Sequence, residues 1–320
     1  MQLGSDGPAL PRMGLGCMSM SHPGRDDAAS LHTIRTALDH GVTLLDTADK
    51  YGKGHNERLV AKAIRGRQDE VVVATKVGFV GSSRDTRPVD GTPDHIRNAA
   101  RGSLARLDID AIDLLYLHRV DPAVPIEESV GAMAELVADG VVRHIGLSEA
   151  APDTVRRAHA VHPIAALQSE YSLWTRDPET GVLAVCRELG VTFVAYSPLG
   201  IGFLTGTVRR PGDLPAGNRL AKGERVEPNN LEHNLALVDQ IRALASRLGC
   251  TPAQLALAWL IARDVVPIPG SARVEHLLEN LGALAVTLAA ADLDEIDRIA
   301  PPGAAAGTRK SNWGLALTGR

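Results

Sequence analysis

Four polar residues lie at or just after the C-terminal ends of three successive apolar runs: Asp46, Tyr51, Lys76 and His118. The runs are short and rich in Val, Leu and Ile, as buried strands are, and they cover residues 44–45, 71–75 and 112–117. In a parallel barrel the C-terminal ends of neighbouring strands meet at one face, which carries the chemistry. The spacing therefore predicts that the four side chains share one site.

Tyr51 is the candidate proton donor of this set. A phenol is a poor acid at neutral pH, because its unperturbed pKa is about 10. A catalytic tyrosine therefore needs a nearby cation that stabilises phenolate. We predict that Lys76 supplies this cation and that Asp46 keeps it charged and oriented. His118 would contact the same substrate oxygen or relay a proton to Tyr51. Each residue alone could be an ordinary loop residue, but their joint position favours catalysis.

A reaction that protonates an oxygen also needs something delivered to the carbon. No other nucleophile is evident in the sequence, which favours a hydride from a nicotinamide cofactor. The dinucleotide fingerprint of open α/β sheets is incomplete, since Ser19 stands where a third glycine would follow Gly14 and Gly16. We therefore expect the cofactor to bind at other parts of the chain.

Two stretches are candidates for binding cofactor phosphates. Residues 200–206 are glycine-rich and follow the seventh predicted strand, and residues 268–276 place Ser271 and Arg273 at the start of a helix after the eighth. Barrels commonly bind phosphate after these two strands. Helix N-termini attract anions and arginine suits phosphate. The alternatives are a flexible loop and an exposed helix start.

Three polar residues end the fifth, sixth and seventh predicted strands. The hydroxyl of Ser148 and the amide of Gln168 could hold a carboxamide, and Tyr196 could stack on a nicotinamide ring or be a core tyrosine. Trp174 and Trp313 either line a substrate mouth or anchor their loops. The loop 197–231 carries basic residues that are typical of a solvated lid: Arg209, Arg210, Arg219, Lys222 and Arg225.

Strand and helix patterns alternate eight times, which predicts a (β/α)8 barrel rather than an open sheet. The predicted strands cover 14–18, 44–45, 71–76, 112–117, 142–148, 165–168, 191–196 and 265–269. The predicted helices cover 26–40, 56–64, 93–107, 126–138, 152–160, 179–189, 232–248, 252–262, 271–284 and 293–300. An N-terminal β-hairpin over 3–10 with an Asp6-Gly7 turn precedes them. No linker divides the chain, so we expect one domain over residues 1–320.

Composition narrows the class of protein. Of 320 residues, 44% are hydrophobic and 22% are charged, and the net charge of −4 gives no basic footprint for nucleic acid or anionic membrane. Three distant cysteines, Cys17, Cys186 and Cys250, predict reduced thiols rather than a disulfide framework or a zinc site. No signal peptide, membrane span or trusted metal-ligand spacing is evident. We expect a cytoplasmic protein that acts on a small molecule without a metal.

Six segments together resemble the aldo-keto reductase family, in the family's order: Asp46–Gly52, Ala74–Lys76, Leu115–Arg119, Gly146–Glu149, Tyr196–Gly200 and Ile268–Ser271. The resemblance covers nearly the whole chain and is strongest to bacterial reductases that share the run Leu117–Pro122. It implies the barrel, a catalytic tetrad of Asp46, Tyr51, Lys76 and His118, and an NADPH extended across the strand ends. The implied cofactor contacts are Ser148, Gln168, Tyr196, Ser197, Leu199, Gly200, Gly202, Leu204, Gly206, Gly270, Ser271, Arg273, Glu279 and Asn280.

The chain departs from the family pattern at two positions. Glu149 follows the strand-five serine where many members have Asn, and His276 stands where many have Arg. Arg273 is therefore the candidate for recognising the 2′-phosphate of NADPH. Carbonyl reduction is the first functional hypothesis. The alternatives are a slow, NADPH-binding redox sensor, as in the related potassium-channel β-subunits, and a non-redox barrel enzyme such as an isomerase.

Overall fold

The strands close into a barrel. The computed structural model describes residues 1–22, 24–81, 88–214, 218–309 and 315–318, and within them eight strands form one parallel sheet in sequence order. They are β1 Leu15–Gly16, β2 Leu44–Asp46, β3 Val72–Val77, β4 Ile112–Leu117, β5 Val142–Ser148, β6 Ala166–Glu170, β7 Thr192–Tyr196 and β8 Val266–Pro267. A bridge between Gly16 and Gly270 joins the two ends of the sheet. The predicted fold is confirmed.

Ten α-helices surround the strands in the described residues. They are α1 Asp27–Asp39, α2 His55–Ile64, α3 Pro93–Leu107, α4 Ile126–Ala138, α5 Pro152–Val161, α6 Val182–Leu189, α7 Pro228–Arg247, α8 Pro252–Ile261, α9 Val274–Leu281 and α10 Ala290–Ile299. Their N-termini follow capping chemistry: Asp26 accepts from Ala28 N, and Thr251 forms a capping box with Gln254. Thr92 caps α3 by position, but its hydroxyl donates to Asp90 instead.

The core has two layers that follow from the alternation of side chains along each strand. Residues such as Leu44, Leu114 and Val194 fill the barrel interior, and a larger apolar layer lies between strands and helices. Aromatics are few, so Val, Leu, Ile and Ala supply most of this packing. One aromatic, Tyr116, leaves room only for glycine at position 146, because a Cβ there would lie 2.7 Å from the Tyr116 ring.

The N-terminal hairpin covers the barrel end that is opposite to the strand C-termini. It is held by a single antiparallel bridge between Gln2 and Ala9, and Leu3 belongs to the interior layer. The turn spans residues 4–7 and is wider than predicted. Gly4 and not Gly7 takes the left-handed conformation, and a Cβ on Gly4 would lie 3.0 Å from Ala165 Cα.

Four predicted element bounds are wrong. The loop after β7 is shorter than 197–231, since Pro228 starts α7, and it contains 3₁₀ turns at Gly200–Thr205, Pro211–Asp213, Arg219–Lys222 and Glu224–Val226. Gly181 separates a 3₁₀ turn, Asp177–Thr180, from α6. The hydroxyl of Ser271 bonds to Arg273 and delays the start of α9. α10 begins three residues earlier than predicted, where Asp292 caps Ala289 N. Trp313 lies outside the described residues.

Among the helices that are described, none combines the length and the apolar character that crossing a bilayer requires.

Candidate active site

A buried ion pair forms the floor of the site at the C-terminal face of the barrel. Lys76 Nζ lies 2.5 Å from Asp46 Oδ1 and donates to the backbone oxygen of Thr47 at 2.8 Å. The side chains of Lys76 and Asp46 are 1% and 6% exposed. Gln168 Nε2 donates to the second carboxylate oxygen, Asp46 Oδ2, at 2.7 Å. Asp46 therefore fixes the lysine through one oxygen while its other oxygen is also satisfied.

The ammonium of Lys76 faces Tyr51. Its Nζ lies 5.2 Å from the centre of the Tyr51 ring, and the two side chains interact electrostatically. Burial alone would lower the pKa of Lys76, but the charge of Asp46 and the contact with Tyr51 outweigh it and hold this pKa above its usual range. The lysine is therefore a permanent cation beside the phenol at neutral pH.

His118 completes the predicted set. Its ring meets the Tyr51 ring edge-on, with centroids 6.0 Å apart, and lies 5.3 Å from the ring of Phe79. The imidazole is 8% exposed. The structure thus brings together all four residues that the strand ends predicted, on β2, its following loop, β3 and β4. Phe79 was missed by the sequence analysis, since a single aromatic after β3 carries no signal in the sequence.

A network of buried hydrogen bonds fixes the loop that carries Tyr51. Thr47 donates to Asn56 Oδ1 at 2.7 Å, and Asn56 donates to Cys17 O and Ser21 Oγ at 2.9 and 2.8 Å. Asn56 is fully buried at the start of α2. These bonds tie the loop to the segment after β1, so the position of Tyr51 depends on the helix that follows it.

Asp49 lies in the same loop with a buried carboxylate oxygen, Oδ1, that has no hydrogen-bond partner in the described part of the chain. Burial and the neighbouring charge of Glu57 raise the pKa of Asp49 to about 7. Glu57 is itself fully buried, and it accepts from Thr75 and Arg106. A carboxylate in this setting is costly to ionise.

This cost predicts a pH-dependent stability change for Asp49→Asn. Between its unfolded pKa of 3.8 and its folded pKa of about 7, the folded state holds the proton more tightly, so the stability contributed by this group falls as pH rises. We expect the variant to gain about 3 kcal/mol in unfolding free energy relative to wild type between pH 4.5 and pH 8. Urea unfolding at both pH values measures this gain. A gain that is equal at both, or shared by the exposed control Asp69→Asn, would contradict the prediction.

The ends of β5 and β7 carry a second polar cluster. Ser148 Oγ accepts from Arg119 Nη1 at 2.9 Å, and the hydroxyl of Tyr196 donates to Glu149 at 2.5 Å. Arg119 was given no role from the sequence, although it follows His118 directly. The hydroxyl of Ser148 and the ring of Tyr196 both lie at strand ends, as predicted.

The loop after β7 has the backbone of a tight cradle. Ser197, Gly200, Ile201, Gly202 and Gly206 all have positive φ. Gly200 is required there, because a Cβ would lie 2.4 Å from the indole of Trp174. Leu204 is fully buried, so it contributes to the packing of this loop. A backbone with this many left-handed residues turns successive amides toward one side, as in anion-binding nests.

The start of α9 provides the second predicted phosphate site. Gly270 and Ser271 follow β8, Arg273 is the N-cap residue of the helix, and its side chain is 61% exposed beside Glu275. Further along the helix, Glu279 is exposed and Asn280 is 5% exposed.

Ser19 lies next to this turn and was missed, because the sequence marks it only as the absence of a glycine. Its Oγ is 3.8 Å from the place of a Cβ on Gly270, and it is buried with no hydrogen-bond partner in the described chain. An unpaired hydroxyl, free helix amides and an exposed arginine fit a phosphate-bearing ligand. In the described ranges, no group of three or more His, Cys, Asp and Glu side chains is placed to hold a metal ion.

One lid residue differs from the prediction, and the structure favours one of the two alternatives for Trp174. Arg225 is not solvated: it is 7% exposed, it donates to Thr175 Oγ1 at 2.9 Å and its guanidinium lies 4.7 Å from the Trp174 ring. Trp174 is stacked on Phe203 with centroids 4.5 Å apart. Trp174 therefore anchors its loop, and packing on an aromatic face explains why this arginine is buried.

Known proteins match the chain along nearly its full length. The sequence model of the aldo/keto reductase family matches residues 12–301. A probable aldo-keto reductase 1 from Glycine max is 43% identical over 320 residues, covering 98% of this chain and 92% of that protein. The glycerol dehydrogenase AKR11B4 from Gluconobacter oxydans has a TM-score of 0.85 at 29% identity, covering 93% and 94% of the two chains. An aldo/keto reductase from Klebsiella pneumoniae in complex with NADP and acetate has a TM-score of 0.75 at 29% identity, covering 94% and 95%. The chain therefore belongs to the aldo/keto reductase family of NADP-dependent oxidoreductases.

Proposed function

We propose that this protein reduces an aldehyde or ketone to an alcohol with NADPH, and that Tyr51 is the general acid. One observation carries the proposal: the buried pair of Lys76 and Asp46 holds an ammonium against the Tyr51 phenol. A structural ion pair would not need a phenol and an imidazole beside it. Geometry of this kind is what a carbonyl reductase requires of its acid.

Each residue then has one role. NADPH would supply the hydride that adds to the carbonyl carbon. Tyr51 gives its proton to the oxygen, and Lys76 stabilises the phenolate that remains. Asp46 keeps Lys76 charged and aimed, and His118 orients the carbonyl oxygen from the neighbouring strand end. Because the pair is already buried and satisfied, little reorganisation is needed when the proton moves.

The cofactor would lie across the ends of the later strands. Ser148 and Gln168 would hold the carboxamide, and Tyr196 would stack on the nicotinamide ring. The pyrophosphate would meet the cradle after β7, formed by Ser197, Leu199, Gly200, Gly202, Leu204 and Gly206. The adenosine end would meet Gly270, Ser271, Arg273, Glu279 and Asn280, with Ser19 as an added contact. Gln168 already gives one amide hydrogen to Asp46, so the rest of its amide remains for the carboxamide.

The test is NADPH oxidation, followed by absorbance, with a panel of aromatic, aliphatic and sugar-like aldehydes and ketones. We expect turnover with at least one class, and tight NADPH binding by tryptophan fluorescence quenching. Binding without turnover on any member of the panel would move the assignment to the redox sensor. An absence of nicotinamide binding would leave the non-redox enzyme and would overturn the proposal.

Cofactor choice should depend on Arg273. Arg273→Ala removes a charge suited to the 2′-phosphate, so we expect the Kd for NADPH to rise about tenfold, as for the loss of an exposed charge-assisted contact. The Kd for NADH, which lacks this phosphate, should change less than twofold. Fluorescence titration with both nucleotides measures the difference, and Arg101→Ala on α3 is the control. Equal changes for both cofactors would remove Arg273 from this role.

We also propose that residues 1–320 form one domain, since the hairpin seals the barrel and the tail packs on its opposite face. The cytoplasmic location stays a prediction from the cysteine pattern.

A further inference from the structure

Four hydrogen bonds from described residues meet on the carboxylate of Glu149, the residue that follows β5. Its two oxygens accept from Arg309 Nη1 and Nη2 at 3.0 and 2.9 Å. The backbone NH of Glu170 donates at 3.0 Å and the hydroxyl of Tyr196 at 2.5 Å. Glu149 has a φ of 58°, an unusual conformation for glutamate. Its side chain is only 3% exposed, so this carboxylate is held in place from three directions.

Arg309 reaches this cluster from the C-terminal tail, residues 301–309. Its side chain is 9% exposed, and it lies 3.6 Å from Glu170 and 3.5 Å from Asp177 in addition to its pair with Glu149. The tail leading to it is docked through its backbone: Ala306 N donates to Asn234 Oδ1 and Thr308 N to Glu224 Oε2.

Tyr196 connects the Glu149–Arg309 pair to the proposed nicotinamide site, where its ring would stack on the cofactor. Burial and the charge of Glu149 raise the pKa of Tyr196 well above its usual range, so its hydroxyl keeps the proton that it donates to Glu149. The phenol oxygen lies on the long axis of the ring, so anchoring the hydroxyl fixes where that axis lies. Ring stacking depends on this position, because offset decides how two π-systems meet.

We propose that Arg309 is a positioning residue: its pair with Glu149 fixes the Tyr196 ring and couples docking of the tail to binding of the nicotinamide. The proposal rests on the function proposed above, in which Tyr196 is the stacking partner. Arg309 contacts none of the four catalytic candidates in the described hydrogen bonds and ion pairs, so it acts through Glu149.

The chemistry of the pair explains why the guanidinium matters. Without it, the buried carboxylates of Glu149 and Glu170 face each other with less positive charge, and like-charge repulsion favours movement of the Glu149 carboxylate away from its present position. The tyrosine hydroxyl would then lose its anchor even though the backbone stays folded.

The coupling must also work in the reverse direction. If tail docking favours nicotinamide binding, then bound NADPH favours tail docking by the same factor. Amide hydrogen exchange of residues 301–309 reports docking directly and needs no turnover. We expect NADPH to slow this exchange in the wild-type protein.

The experiment uses the full chain with Arg309→Met and two readouts, the Kd for NADPH and exchange of the tail. We expect the Kd to rise about tenfold, tail exchange to become fast, and NADPH no longer to slow it. Arg309→Lys keeps the charge but cannot pair through two nitrogens. It should therefore keep part of the NADPH affinity and part of the protection of the tail from exchange. Arg263→Met removes another paired arginine, one that binds Asp297 and stacks on Trp259, and should change neither.

A double-mutant cycle with Tyr196→Phe tests whether Arg309 acts on NADPH binding through the Tyr196 hydroxyl. If Arg309 acts through the tyrosine hydroxyl, Arg309→Met should change the Kd less than threefold in the Tyr196→Phe background. A full tenfold effect in that background would overturn the proposal, as would a Kd within twofold of wild type when the tail exchanges fast. If Arg309→Met does not fold, the same two measurements, the Kd for NADPH and amide exchange of the tail, are made on Arg309→Lys instead. A wild-type protein that binds no NADPH would refute the proposed function. A tail that stays protected from exchange in Arg309→Met would refute only the positioning role of Arg309.

Discussion

Tyr51→Phe should lower kcat by about 10²–10⁴-fold, the range that a general acid contributes, and should leave the Kd for NADPH within twofold of wild type. Phenylalanine keeps the ring beside His118 but removes the proton that the carbonyl oxygen needs. The loss should appear in kcat and in kcat/KM alike, because the contact forms in the transition state. NADPH oxidation and fluorescence titration measure the two quantities.

Tyr171→Phe is the matched control for this variant. Tyr171 is also a buried tyrosine whose hydroxyl donates to a carboxylate, Glu179, but it lies in the apolar layer outside the barrel interior. Its replacement should lower stability by about 1 kcal/mol and leave kcat unchanged. If Tyr51→Phe turned over at the wild-type rate, Tyr51 would not be the acid, and His118 would be the next residue to test.

Lys76→Met should remove turnover to a similar extent and also destabilise the fold. Methionine fills much of the lysine volume, but Asp46 then keeps a buried negative charge without its cation. Breaking a buried pair from one side costs about 3–5 kcal/mol. The bond from Gln168 to Asp46 remains, so the lower end of this range is expected. Urea unfolding at pH 7 gives the stability, and NADPH oxidation gives the activity.

The double variant Lys76→Met with Asp46→Asn separates the two effects. It removes both charges, so most of the lost stability should return, as is common when a buried pair is replaced as a whole. Turnover should not return, because no ammonium faces Tyr51. Activity recovered together with stability would mean that the pair only holds the fold, and the catalytic role of Lys76 would be withdrawn.

Local sequence was sufficient to predict the barrel and to place the four residues of the proposed catalytic set at one face. The strand runs are apolar and short, and the polar residues stand directly at their C-terminal ends. Since parallel strands align their C-termini, the position of Asp46, Lys76 and His118 at one face follows from the order of elements alone. Tyr51 follows as well, because only four residues separate it from the end of β2.

The long loop shows where this reasoning fails. Arg225 is charged and lies in a loop, which predicts exposure, yet it is buried against Trp174. Trp174 and Arg225 are distant in sequence, and no periodicity links them. The same limit applies to Leu204, whose side chain packs inward while its neighbours form the backbone cradle. Burial of a loop side chain depends on partners that come from other elements.

The sequence by itself determined the fold class, the four residues of the proposed catalytic set and the two stretches proposed to bind phosphate, because each depends on local pattern and on the geometry of parallel strands. Only the tertiary structure decided that Arg309 pairs with Glu149 beside Tyr196. Arg309 and Glu149 are 160 positions apart, and a charged residue in a Gly- and Ala-rich tail is predicted to be exposed to solvent. A contact between a strand end and a tail depends on how the whole barrel closes, which no local pattern encodes.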